Sequence, residues 1–158
     1  MSEGETQDGA EAPAISDADL LARFQNSRSQ PPSSKTLGFR MLRVSQADKE
    51  VEVAFNAPAE IVANPMKQVQ GGYVSAMLDE CMSVAGLVAS GMTHVVSTLE
   101  MKTSYLRATK PGALRGIGRV IRMGRSVCFL EGELYDADDK LVATATATAL
   151  PQAFKSFK

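Results

Sequence analysis

The chain has 158 residues, 44% of them hydrophobic and 22% charged, with a net charge of −1. That length holds one domain with a real core and leaves too little for two. The near-neutral total argues against nucleic acid or a membrane surface as partner, and no window approaches the apolar length of a membrane span.

The first 20 residues carry six acids and no base. Residues 1–15 are polar and acidic, and are expected to form a flexible tail. They do not resemble a signal peptide, so the expected location is cytoplasmic. Cys81 and Cys128 both lie in apolar contexts, which predicts reduced, buried thiols rather than a disulfide framework. With His94 as the only histidine, no zinc site is expected.

The segment 16–158 reads as a single domain, with a helix at 16–30 and a core at 36–150. Ser16 is a capping hydroxyl, Asp17 and Asp19 suit the positive helix end, and Pro31-Pro32 stops the helix. Two strands follow, at about 36–46 and 49–56, the second with Val51, Val53 and Phe55 alternating with Glu50, Glu52 and Ala54. Residues 56–70 read as a loop. From Gly71-Gly72 to about Ser90, apolar residues recur at helical spacing (Val74, Met77, Leu78, Cys81, Val84, Ala85, Val88), which predicts a long helix buried along most of its length.

Four strands then form a meander. In the first, Leu99, Met101, Thr103 and Tyr105 alternate with Thr98, Glu100, Lys102 and Ser104. The strand at 113–123 contains Gly116 and Gly118, which weaken it or admit a close neighbour. Val127 to Asp136 runs back, and the last strand sets Ala143, Ala145, Ala147 and Ala149 on one face and threonines on the other. The alanine face suits a closely packed helix. Helix, two strands, long helix, four strands is an α+β order, and an antiparallel sheet wrapped around one central helix closes it most simply.

Two features carry chemistry. At 100° per residue, Ser75, Asp79, Ser83 and Gly86 share one small, polar flank of the central helix. Asp79 there faces either a ligand or solvent, and its neighbour Glu80 is expected on the solvent side. The second feature is Gly71-Gly72, whose free N–H groups at a helix start favour negative charge and can hold a carbonyl oxygen that becomes an oxyanion. Residues 101–125 add Lys102, Arg107, Lys110, Arg115, Arg119, Arg122 and Arg125 without one acid. Such a stripe suits a small phosphorylated ligand; the plainer alternative is a solvated strand face. Strict alternation would put Arg115, Arg119 and Arg125 on one face and Arg122 on the other.

The stretch Asn64-Pro-Met-Lys-Gln-Val-Gln-Gly-Gly-Tyr-Val-Ser-Ala-Met-Leu-Asp79 resembles the signature of the PaaI-type hotdog-fold acyl-CoA thioesterases. That pattern is Asn, five residues, His-Gly-Gly, then an acid nine positions after the His. Tyr105-Leu106-Arg107, Pro111-Gly112, Gly124-Arg125, Asp136 and Leu141-Val142-Ala143 match the later strands in order, so the resemblance covers about residues 36–150. It implies a hotdog fold for that core, to which the helix read at 16–30 is an N-terminal extra, and hydrolysis of an acyl-CoA to free acid and CoA, a reaction that needs no metal and no cofactor.

The resemblance also implies roles. Asp79 would be nucleophile or general base. The Gly71 N–H, with Gly72 beside it, would polarise the thioester carbonyl, and Asn64 would position that carbonyl or the attacking water. Ser83 and Thr98 would position substrate or water, and Arg119, Arg122 and Arg125 would meet the CoA phosphates. Sites between two subunits imply a homodimer or homotetramer. Met77, Met82 and Val84 would line the acyl tunnel, which suits a medium-chain or aromatic acyl group.

The sequence departs from the pattern at Gln70, which replaces the family His and cannot carry a proton. It departs again at Asp139, where the family's hairpin often has Gly. Gln70 leaves open a second reading, a non-catalytic acyl-CoA-binding or sensing module. A hotdog dehydratase would need a His near the helix, and a purely structural oligomer would give the glycine pair and Asp79 no task.

Overall fold

A computed structural model describes residues 15–153 of the chain. The acidic tail expected over 1–15 lies outside the described residues except for Ile15. Helix α1 (Asp17–Asn26) begins where Ser16 accepts the Asp19 N–H, and it buries Leu20. Then come α2 (Pro32–Thr36), β1 (Arg40–Ser45), β2 (Glu50–Phe55) and α3 (Ala59–Val62). Helix α4 (Gly71–Ala89) is followed by β3 (His94–Tyr105), β4 (Leu114–Met123), β5 (Cys128–Tyr135) and β6 (Leu141–Ala153).

The six strands form one antiparallel sheet in the order β1-β2-β4-β5-β6-β3. One face packs on α4, whose Val74, Met77, Leu78, Cys81, Met82, Ala85 and Val88 are buried. This is the hotdog arrangement. Each large apolar side chain so buried stabilises the fold by about 1.5–3 kcal/mol before entropy is counted. The alanines of β6 face inward as their size suggested: Ala143, Ala145, Ala147 and Ala149 are all buried.

Gly116 and Gly118 explain how the helix comes so near. A Cβ at Gly118 would lie 2.1 Å from the Cys81 carbonyl oxygen, and one at Gly116 would lie 2.3 Å from the Cys81 sulfur. The helix backbone therefore rests on β4, and only glycine leaves it room.

Several local expectations need correction. The strand expected from residue 36 begins at Arg40, because Pro32–Thr36 makes one helical turn first. The loop at 56–70 holds the short helix α3 and a bridge between Ala63 and Val69. Glu80 does not face open solvent: it is half-buried and accepts a hydrogen bond of 2.6 Å from the buried Ser34 hydroxyl. Met77 and Met82, expected along a tunnel, are buried in the core.

Two bulges overturn the alternation. In β3 the register shifts between Thr98 and Glu100, so Leu99 is an extra residue and Thr98 shares the inner face with Met101. In β4 it shifts between Val120 and Arg122, so Ile121 is extra and Arg122 joins Arg115 and Arg119 on the outer face. One inserted residue reverses the side on which every later side chain falls.

Candidate active site

The polar flank of α4 faces β3, one of the two edge strands of the sheet. Moving up the helix, Ser75 meets Tyr105 and Thr103, Asp79 meets Thr98, and the Gly86 position abuts Val96. Helix and strand thus run in opposite directions. The Thr98 hydroxyl donates to Asp79 Oδ1 at 2.6 Å. The bulge at Leu99 makes this contact possible, since without it Thr98 would point to the outer face. Ser83 sits half-buried one turn beyond Asp79.

The start of α4 is tied down from several sides. Gln70 caps the helix, its side-chain oxygen accepting the Gly72 N–H at 2.7 Å. The Gln70 N–H donates to the Val62 carbonyl, and the Gln70 carbonyl accepts from Tyr73 and Val74. The Gly71 N–H has no partner among the described residues. Gln70 therefore shapes the turn through an acceptor atom, a task that needs no titratable group.

Asn64 organises the preceding loop. Its Oδ1 accepts from the Met66 and Gln68 N–H groups at 2.9 and 3.1 Å, which leaves its amide NH2 to donate elsewhere. Asn64 and Gly71 line one open cavity of about 420 Å³ together with Tyr105 and Arg107. Asp79 does not line it. An α-helix rises 1.5 Å per residue, so the Gly71 N–H and the Asp79 carboxylate of one chain are separated by about 12 Å along α4.

The arginines divide. Arg119 is half-buried and pairs with Glu50 and with Glu133 at 2.9 Å. Arg115 pairs with Glu52 and Asp139 and lies 4.3 Å from the centre of the Tyr135 ring. Asp139 itself adopts φ +60°, the left-handed conformation for which the family's glycine is suited. Arg122 and Arg125 are exposed near the β4–β5 turn. Among the described residues, no three His, Cys, Asp or Glu cluster as metal ligands, and no helix is long and apolar enough to cross a membrane. Burial pushes the Cys81 thiol far above its ordinary range, with the Glu80 charge adding to it, so that thiol is no nucleophile.

Tyr105 carries no role in the sequence reading, and Ser75 enters it only as a hydroxyl on the flank of Asp79; the structure brings both to the glycine turn. The signal that could have found Tyr105 is its place at the inward-facing end of β3, where the strand passes the start of α4.

A family model for the thioesterase superfamily matches residues 67–143. A phenylacetic acid degradation-related protein of Ralstonia eutropha has 36% identity and a TM-score of 0.71, over 82% of this chain and 98% of its own. The chain belongs to the thioesterase superfamily. The medium/long-chain acyl-CoA thioesterase YigI of Salmonella typhimurium is 26% identical in an alignment 134 residues long that covers 74% of this thioesterase and 83% of YigI. A Streptococcus mutans protein bound to acetyl CoA is 25% identical, with a TM-score of 0.62, over 75% of this chain and 91% of its own. The reaction class is therefore thioester hydrolysis.

Proposed function

We propose that the chain hydrolyses an acyl-CoA thioester with Asp79 as its acid and the Gly71 N–H as carbonyl donor. The observation that carries this is the pair of half-sites on α4. At the helix start one N–H is left unpaired beside Asn64. Two turns on, a carboxylate is oriented by a hydroxyl. In the reaction, the water oxygen attacks the carbonyl carbon while Asp79 accepts its proton. The negative charge that builds on the carbonyl oxygen falls to the Gly71 N–H and the Asn64 amide. The C–S bond then breaks, CoA leaves as thiolate, and a proton returns to it. The variant route, with Asp79 as nucleophile, passes through an anhydride that water opens.

No single carbonyl can touch both half-sites of one chain at about 12 Å. A complete site therefore needs Gly71 and Asn64 from one copy and Asp79, Thr98 and Ser83 from another, so the working unit is a homodimer or a pair of homodimers. The unpaired edge of β3, a long strand with Leu99 and Tyr105 exposed, offers backbone groups for a second copy.

The acyl-CoA assignment draws on the relatives: YigI acts on medium- and long-chain acyl-CoAs, and the S. mutans protein holds acetyl CoA. Arg122 and Arg125 are the candidate phosphate contacts, with Arg119 behind them. The row Thr98, Ala149, Cys128, Met123 crosses the sheet toward their turn. Three strand spacings make it about 14 Å long, which sets the distance from Thr98 to that turn.

The test is CoA release, read with a thiol-detecting dye, over short, medium, long and aryl acyl-CoAs. Wild type is expected to turn over, and Asp79→Asn to lose about 10²–10⁴-fold in kcat. Gln70→His is expected to stay within a few-fold of wild type. A silent wild type that gains activity in Gln70→His would instead favour the binding module, and silence in all three despite acyl-CoA binding would sink the hydrolase.

A further inference from the structure

We infer that Tyr105 is a positioning residue for the carbonyl-polarising turn, acting through the Gly71–Gly72 peptide. The inference rests on the reading of the Gly71 N–H as carbonyl donor. A peptide flanked by two glycines is the least restrained in the helix, because neither side has a Cβ to limit its rotation. In this chain both ends of that peptide are held by side chains. Its N–H is taken by Gln70 at 2.7 Å, and its carbonyl accepts the Tyr105 hydroxyl at 3.1 Å.

The Tyr105 ring is itself fixed. Its edge packs on Gly71, where a Cβ would sit at 3.4 Å from the ring and its oxygen. With the Tyr105 proton directed to the Gly71 carbonyl, Ser75 donates to the phenol oxygen at 2.7 Å. Ser75 also lies 3.2 Å from the Thr103 hydroxyl, so the cluster is anchored on both helix and strand. The Val62 carbonyl holds the peptide before Gln70. The intervening peptide, which carries the Gly71 N–H, is thereby aimed from both sides while its own donor stays open. Tyr105 is 55% exposed and lines the cavity that holds Asn64.

A donor aimed in advance lowers the barrier more than it tightens ground-state binding. The experiment is steady-state turnover of octanoyl-CoA by the full chain as wild type, Tyr105→Phe, Ser75→Ala, the double variant and Asp79→Asn. Phe keeps the ring and removes the hydroxyl. Tyr105→Phe is expected to lower kcat by roughly five- to tenfold with KM within about twofold. Ser75→Ala should lose less, and the double variant no more than Tyr105→Phe, because both act through one hydroxyl. Amide hydrogen exchange at Gly72, whose N–H is held by Gln70, should quicken in Tyr105→Phe. Unchanged kcat in Tyr105→Phe and Ser75→Ala, with collapse in Asp79→Asn, would overturn the role of Tyr105 alone. So would equal shifts in kcat and KM with a lowered unfolding midpoint, the mark of a packing residue. Full turnover in Asp79→Asn would overturn the catalytic reading beneath it.

Discussion

Strands β3 and β4 both run alongside α4 and both carry a bulge, yet they are built for different ends. Strand β4 lies between β2 and β5, with backbone partners on each side. Its inward positions are Leu114, Gly116, Gly118 and Val120, all buried, and the helix presses directly on its glycines. Its outward Arg115 and Arg119 are knitted to carboxylates of β2 and β5. Strand β3 has β6 on one side and, among the described residues, no strand on the other. Its inner face presents Thr98, Thr103 and Tyr105 to the helix, and their hydroxyls meet Asp79, Ser75 and Gly71. The strand closed on all sides carries stability, and the one left open carries the polar groups that chemistry requires.

That contrast predicts opposite signatures from substitutions on the two strands. The largest effect falls on the helix acid facing β3: Asp79→Asn should lose about 10²–10⁴-fold in kcat while its unfolding midpoint holds. Next is Gly118→Ala in β4. A methyl group 2.1 Å from a helix carbonyl forces the helix off the sheet, so about 3 kcal/mol of stability should be lost. Urea unfolding reads it, and a wild-type midpoint would mean the helix can retreat freely. Thr98→Val on β3 keeps the shape and removes the donor to Asp79. A hydrogen bond to a charged group contributes about 1.5–3 kcal/mol, so kcat should fall roughly tenfold to a hundredfold with little change in KM. Equal kcat in Thr98→Val would show that Asp79 needs no partner, and the contrast between the strands would lose its clearest case.

How much of this was legible before the fold was known follows from which forces are local. The buried face of α4 and the alanine face of β6 could be read from spacing, because burial imposes a period on the sequence. The glycines of β4 announced a close neighbour, though not that it was Cys81. The bulges at Leu99 and Ile121 could not be read, since both residues are apolar and fit the alternation. What makes them extra is the pairing of β3 with β6 and of β4 with β5. That is why Arg122 was assigned to the wrong face and Thr98 was grouped with Glu100. Gln70 hid its capping task because glutamine is not among the usual cap residues. Glu80 was misplaced because the turn carrying Ser34 gave no helical period of its own.

The smallest expected effect lies on the outer face of β4, where Arg119 and Arg43 converge on Glu50. Burial by itself would raise the Glu50 pKa, but the hydrogen bonds and charges of the two arginines outweigh it and hold the group below its ordinary value of 4.5. A carboxylate whose folded pKa is depressed adds stability above its unfolded pKa and loses it as the pH falls through the folded value. The urea midpoint of wild type should therefore exceed that of Glu50→Gln above about pH 5, by under about 1 kcal/mol for so open a network, and the two should converge in more acidic solution. A difference that instead grew on acidification would mean that burial wins over the arginines. The carboxylate would then be a cost to the fold, and the outer face of β4 would owe its order to its backbone pairing rather than to its charges.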